Sequence, residues 1–271
     1  MPEHEIERDG VALNVSDDGE GTPVVLLHGL TASRRYVVMG SKALERSEHR
    51  VVAYDARGHG RSSPAAEPDA YGYDALAADL QAVLDGLGIE RAVLAGASMG
   101  AHTVVRFALA SPERVAALCL ITPAFVPGRD PDLAHWDALA DGLREGGIDG
   151  FVAAYPLEHM PEAWRKTVEQ VVRQRLAQHR DLGAVADALR AVPRSSPFSA
   201  TDDLGAIRVP TTVVASRDEA DPGHPLAVGE AWARTIPGAE LRVEDEGKSP
   251  LAWQGGQLSR VISDVAARAT G

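Results

Sequence analysis

The stretch Val93-Leu94-Ala95-Gly96-Ala97-Ser98-Met99-Gly100-Ala101-His102 places one hydroxyl in a setting suited to nucleophilic chemistry. A short apolar run gives way to small residues, presents Ser98, and leads into residues 103–110, which have helical length and composition. Ser98 is therefore expected on a strand-to-helix turn. Gly96 and Gly100 stand two residues before and two after it, where a side chain would collide in so sharp a bend. Such a turn holds its central residue at strained dihedrals with its hydroxyl exposed, ready to attack an electrophile.

The elements that must hold this serine follow from hydrophobic patterning. Residues 6–15 read as two short strands around Asp9-Gly10, a tight-turn dipeptide. Residues 23–27, 93–97 and 115–121 are apolar runs of strand length without alternation, the pattern of strands buried on both faces of a parallel sheet, and residues 50–55 read as a further strand of this buried type. Between them, residues 73–87 carry Leu76, Leu80, Val83, Leu84 and Leu87 at the spacing of one helix face. Alternating strands and helices imply right-handed crossovers and helices on both faces of the sheet. From Pro123 to about Asp203 the rhythm changes, with helices expected over 133–143, 151–155, 162–178 and 182–191 and no convincing strand. Trp136, Phe151, Tyr155, Met160 and Trp164 in this insertion are expected chiefly to pack against one another. Alternation resumes with a strand at 211–216, a helix at 225–236, a strand at 239–243 and a closing helix at 257–269. The expected architecture is α/β, a doubly wound, mostly parallel sheet, with a core of residues 1–122 and 204–271 and a helical cap at 123–203.

Composition narrows the function classes. The 271 residues are 45% hydrophobic and 24% charged, values of an ordinary globular chain. A net charge of −12 argues against nucleic acid or anionic lipid as partner, since both reward basic patches. The expected partner is a small-molecule substrate, with no nucleic acid and no membrane, and a homodimer is compatible with the sequence. Met1 leads into Pro2-Glu3-His4-Glu5 without a basic segment before an apolar one, so a cytoplasmic location is expected. Cys119, the only cysteine, lies in an apolar run and is expected to be buried and inert. No phosphate-binding glycine loop and no His-x-x-x-His pair is present, and no cofactor or metal is expected.

Three motifs in order carry a resemblance. Gly96-Ala97-Ser98-Met99-Gly100 fits Gly-x-Ser-x-Gly, His28-Gly29-Leu30 follows a strand end, and Asp55-Ala56-Arg57-Gly58-His59-Gly60-Arg61-Ser62 fits an Asp-x-Arg-Gly-x-Gly-x-Ser loop. Over nearly its whole length the chain resembles the α/β-hydrolase family, whose nucleophile elbow has this form. The resemblance implies Ser98 as nucleophile and the backbone N–H groups of Leu30 and Met99 as the oxyanion hole. His28 and His59 are expected to orient loops through hydrogen bonds rather than to carry protons. The resemblance also implies an acid just after the strand that follows the insertion, where Asp218 and Asp221 both stand, with Asp221 in Asp-Pro-x-x-Pro the better match.

The family's base would be a histidine after the last strand. Lys248, within Glu244-Asp245-Glu246-Gly247-Lys248-Ser249-Pro250, stands at that place, and no histidine occurs after His224. Lys248 could serve as base if desolvation left it neutral, although a nearby Asp221 would oppose that shift. Alternatively His224, which shares the loop of Asp221 and reads most simply as a loop histidine, or His135 or His159 from the insertion, would reach Ser98. His102, four residues past Ser98, reads as a partly buried helix residue. The leading expectation is a serine hydrolase of carboxylesterase type acting on a small, mainly apolar ester or amide. A non-hydrolytic enzyme of the same fold (lyase, cyclisation or rearrangement) and a ligand-binding member with a degenerate triad are the alternatives.

Overall fold

The computed structural model describes residues 2–217, 221–245 and 253–269. The Asp9-Gly10 turn, both residues at positive φ, closes the hairpin of β1 (Glu3–Arg8) and β2 (Val11–Asp18). The remaining strands are β3 (Thr22–Leu27), β4 (His49–Tyr54), β5 (Ala92–Ala97), β6 (Val115–Ile121), β7 (Thr211–Ala215) and β8 (Glu240–Val243). They form one eight-stranded sheet in the order β1-β2-β4-β3-β5-β6-β7-β8. The β1–β2 and β2–β4 pairs are antiparallel, and every pairing from β4 to β8 is parallel. The doubly wound, mostly parallel sheet expected from the apolar runs is thus present.

Unalternated strands have their reason in two cores. On one face, α1 (Tyr73–Gly86), α2 (Met99–Ala110) and α6 (Leu226–Thr235) cover Val25, Leu94, Leu118 and Val213. On the other, α7 (Gly255–Ala269) covers Val24, Val93, Cys119 and Val214 through Leu258, Ile262 and Val265. Neighbours along one strand thus enter opposite cores, so both must be apolar. Cys119 is fully buried and unpaired, and burial pushes its thiol up to about 12, which keeps it protonated and unreactive.

The insertion is helical, with α3 (Leu133–Ala154), α4 (Glu162–Leu176) and α5 (Leu182–Ala191). Its first part differs from the two separate helices expected there. Residues 133–154 run as one element broken at Gly147, whose φ of 60° and ψ of −145° a side chain would resist. Leu139, Leu143, Phe151, Val172, Leu176 and Leu189 form the insertion's own core, against which Trp136 and Tyr155 pack. Leu30, from the end of β3, also packs there and joins the insertion to the sheet. No described helix is long and apolar enough to cross a membrane.

Candidate active site

Ser98 sits between β5 and α2 at φ 50° and ψ −114°, a conformation that side chains disfavour and that is held by its surroundings. A methyl group on Gly96 would lie 2.2 Å from the carbonyl oxygen of Gly100, and one on Gly100 would lie 2.2 Å from that of Leu27. Both obstacles are backbone, which cannot step aside. Gly100→Ala is therefore expected to destabilise the fold by at least the ~1–3 kcal/mol typical of overpacking, measurable as a lower urea midpoint at unchanged slope.

The opposite wall is the loop after β3. His28 donates from Nδ1 to the Gly29 carbonyl at 2.8 Å and accepts the Ala56 N–H on Nε2 at 2.9 Å, tying the ends of β3 and β4 together. Asp55 accepts the N–H groups of Arg34 at 2.9 Å and Arg61 at 3.1 Å, and Arg57 pairs with buried Asp79 at 2.6 and 2.7 Å. These contacts are those of loop-orienting residues. They hold Gly29 so near the elbow that a methyl group there would lie 3.3 Å from Ser98 Cβ. Met99, which directly follows Ser98, is the first residue of α2. The first N–H groups of a helix have no partner within it, which leaves Met99 free to donate to a bound group.

The third wall is the loop after β7. Ser216 Oγ and the Arg217 N–H donate to Glu244 at the end of β8, anchoring where that loop leaves the sheet. Asp221-Pro222-Gly223-His224 then makes a turn in which the His224 N–H donates to the Asp221 carbonyl at 3.2 Å. The turn brings the two side chains together. His224 Nδ1 lies 2.8 and 2.9 Å from the Asp221 carboxylate oxygens, and its Nε2 lies 2.8 Å from Ser98 Oγ. This network requires the tautomer in which Nδ1–H donates to Asp221 while Nε2 accepts the Ser98 O–H. Burial pushes the Asp221 carboxyl up. The His224 ring, by charge and hydrogen bond, and the Arg175 guanidinium pull it down further, and the balance lies below the ordinary carboxylate value.

The structure therefore joins Ser98 and Asp221 through His224, read from sequence most simply as a loop histidine. Lys248 and Asp218 lie outside the described residues. The histidines of the insertion take no part: His159 is largely exposed, and His135 sits beside Trp136 at the start of α3. His102 is more deeply buried than expected. It donates from Nδ1 to the Tyr73 hydroxyl at 2.8 Å, and its Nε2 accepts the N–H groups of Ala124 and Phe125 at 3.0 and 3.2 Å. The only signal that could have selected His224 is its place: no other histidine follows the insertion, and it stands three residues past an aspartate in a turn bounded by prolines. Among the described residues no cluster fit to hold a metal ion occurs.

Several imidazoles around this site are held neutral by burial. His102 is pushed down to about 3 and His179, which closes on the loop of Thr31, to about 4, with His28 and His59 also lowered. The unfolded chain takes up protons at histidine near pH 6.5, whereas these folded sites do not. Stability is therefore expected to fall as pH drops from about 6.5, down to about 4 for His179 and about 3 for His102. The slope approaches ~1.4 kcal/mol per pH unit for fully buried His102. Urea midpoints measured from pH 7 to pH 5 check this, and His102→Gln should flatten the curve.

Residues 22–168 match the family model described as alpha/beta hydrolase fold. A 2-hydroxy-6-oxononadienedioate/2-hydroxy-6-oxononatrienedioate hydrolase of Pseudomonas putida is 31% identical over 269 residues, 93% of this chain and 90% of that protein. The non-heme chloroperoxidase CPO-A1 of Kitasatospora aureofaciens is 28% identical over 277 residues, 95% of this chain and 96% of that protein. Among solved structures, a thermophilic esterase from Thermogutta terrifontis superposes with a TM-score of 0.77 at 26% identity, covering 98% of this chain and 96% of that one.

Proposed function

Since the chain belongs to the alpha/beta hydrolase fold family and is a hydrolase-type enzyme, we propose that it cleaves a small, largely apolar ester or amide through an acyl-enzyme at Ser98, with His224 as base and Asp221 as the acid that orients it. The observation that supports this most is the unbroken chain of hydrogen bonds from Ser98 Oγ through His224 to Asp221.

In this reading the Ser98 oxygen bonds to the substrate's carbonyl carbon while its proton passes to His224 Nε2. The carbonyl oxygen, now anionic, is met by the N–H groups of Leu30 and Met99, each such donor being worth about 2.7–4 kcal/mol of barrier. The imidazolium, stabilised by ionised Asp221, returns the proton to the leaving oxygen or nitrogen, whose bond to the carbonyl carbon breaks. Water then repeats the sequence on the acyl-serine. Its proton goes to His224, its oxygen to the acyl carbon, and the proton finally to Ser98 Oγ as the acid departs. Lys248 has no proton to move here. Residues 123–203 act as a cap over a core of residues 1–122 and 204–271.

A fluorophosphonate should attach one phosphonyl group to the protein, at Ser98. Ser98→Ala should lose both the label and the turnover of short aryl esters. Turnover that survives Ser98→Ala would instead favour a non-hydrolytic reaction in the same pocket. A ligand that stabilises the fold and is always recovered unchanged would favour a binding role.

A further inference from the structure

In the segment between α4 and α5 the cap grips the core. The Gly60 N–H, from the loop after β4, donates to His179 Nδ1 at 2.7 Å, and the Arg180 N–H donates back to the Gly60 carbonyl at 3.0 Å. On its other side the His179 ring donates from Nε2 to the Thr31 carbonyl at 3.0 Å, in the loop after β3. That loop passes the nucleophile shortly before, where a methyl group on Gly29 would lie 3.3 Å from Ser98 Cβ. One imidazole thus ties the cap to two core loops.

Only the neutral ring can make both contacts. Nδ1 must keep its lone pair for the Gly60 N–H while Nε2 carries the hydrogen for Thr31, so a second proton would set two donors against each other at Gly60. The surroundings do little to offset this. His59, from the loop after β4, meets the His179 ring edge-on with centroids 5.5 Å apart, and His28, from the loop after β3, stands 5.2 Å from His59. His59 donates from Nδ1 to the Arg57 carbonyl at 2.9 Å, which leaves a lone pair on its buried Nε2 with no donor to meet it. Arg175 of α4 brings a positive charge to the same place, where its Nη2 donates to the Thr31 hydroxyl at 3.3 Å. Asp55, just after β4, acts the other way, but its oxygens accept the N–H groups of Arg34 and Arg61. Burial is the largest influence on the His179 ring; the Thr31 carbonyl and Asp55 push it up, His28 and Arg175 push it down, and it stands at about 4.

We propose that His179 is a proton-sensitive latch of the cap, closed while its ring is neutral and released when the ring takes up a second proton. This rests on residues 123–203 acting as a cap, as proposed above, and not on which reaction Ser98 carries out. A ring exposed by opening binds protons near pH 6.5 and the latched ring only near about 4, so the latch is at full strength above pH 6.5 and weakens as pH falls between those values. At pH 5 the opening constant should be about 30-fold that at pH 8. Acid thus frees the edge of the cap from the loop that passes Ser98, and neutral pH holds it shut.

Native-state amide hydrogen exchange reads the latch directly. The reporters are the N–H groups of Gly60 and Arg180, whose bonds cross between cap and core, compared with those of β5 in the middle of the sheet. In the natural protein the reporters' protection, corrected for the chemical exchange rate, is expected to fall about 30-fold from pH 8 to pH 5, with β5 better protected at both. His179→Gln keeps an acceptor and a donor on one planar amide but takes up no proton, so its reporters should change by no more than a few-fold. Equal protection at pH 8 and pH 5 in the natural protein would overturn the proposal. So would a His179→Gln protein whose reporters lose protection in acid as the natural protein's do, since the response would then belong to other histidines. Reporters that exchange only together with β5 would mean that the cap leaves only when the whole fold does, and would reject the latch. The ring signal of His179 in the natural protein is a check that needs no variant: it should titrate well below pH 6.5, and titration near 6.5 in the folded protein would also reject it. Exchange is followed without substrate, so failure of the hydrolase reading and failure of the latch are separate outcomes.

Discussion

His224→Ala is expected to lower kcat on a short aryl ester by about 10⁴- to 10⁶-fold with KM nearly unchanged, since members of a serine relay act as a unit and removal of the base alone removes most of its effect. The residue contributes through two atoms at 2.8 Å, Nε2 toward Ser98 Oγ and Nδ1 toward Asp221, and alanine deletes both contacts. The side chain is about one quarter exposed and belongs to neither hydrophobic core, so the fold should persist and the near-ultraviolet spectrum should be retained. The cavity left behind should admit imidazole, and added imidazole should return part of the rate. Lys248→Ala is the informative companion. With His224 as base it should alter kcat/KM by no more than a few-fold, whereas a lysine base would reverse the order of the two variants. Loss of activity in Lys248→Ala with activity retained in His224→Ala would reject the assignment.

The difference between what was legible in the sequence and what was not follows from the range over which each feature is determined. The strands were legible because each is buried on both faces, so Val24-Val25-Leu26-Leu27 and its counterparts had to be apolar at every position. The elbow was legible because its motif is local, with Gly96 lying against the backbone of Gly100 in the same turn, although Gly100 lies against Leu27 at the end of β3. The extent of α3 was less so, because Gly147 ends helical geometry for one residue while the same apolar face continues beyond it. The base was hardest. Nothing periodic marks His224, and its reach to Ser98, 126 residues earlier, depends on the conformation of a four-residue turn and on how Glu244 anchors the loop to β8. The family pattern drew attention to Lys248, which follows β8 in the sequence and lies outside the described residues, whereas Asp221 and His224 share one turn after β7. A turn that carries both side chains brings them together by itself, and Glu244 just past β8 fixes where the segment before it leaves the sheet.

The shared turn has a consequence for Asp221→Asn, expected to reduce kcat by about 10⁴-fold, as loss of the carboxylate does where it fixes the tautomer of a relay histidine. An amide can present its N–H to Nδ1 instead of accepting from it, which drives the ring proton to Nε2, the atom that must accept from Ser98. Because both side chains share one short turn, the ring has little freedom to flip and recover the other arrangement, so the defect should persist across substrates. The pH response separates this from a simple loss of charge. Asp221 is held below the ordinary carboxylate value of about 3.9, so it stays ionised as pH falls past that point. Its contribution to stability is complete above the unfolded value and disappears only as pH drops through the lower folded value. Any fall in kcat/KM of the natural protein between pH 8 and pH 5 is therefore not titration of Asp221. The variant should show its full defect throughout that interval, with no pH at which the two proteins converge. Convergence at the acid end would mean that Asp221 had already become neutral in the natural protein, and would remove it from the relay.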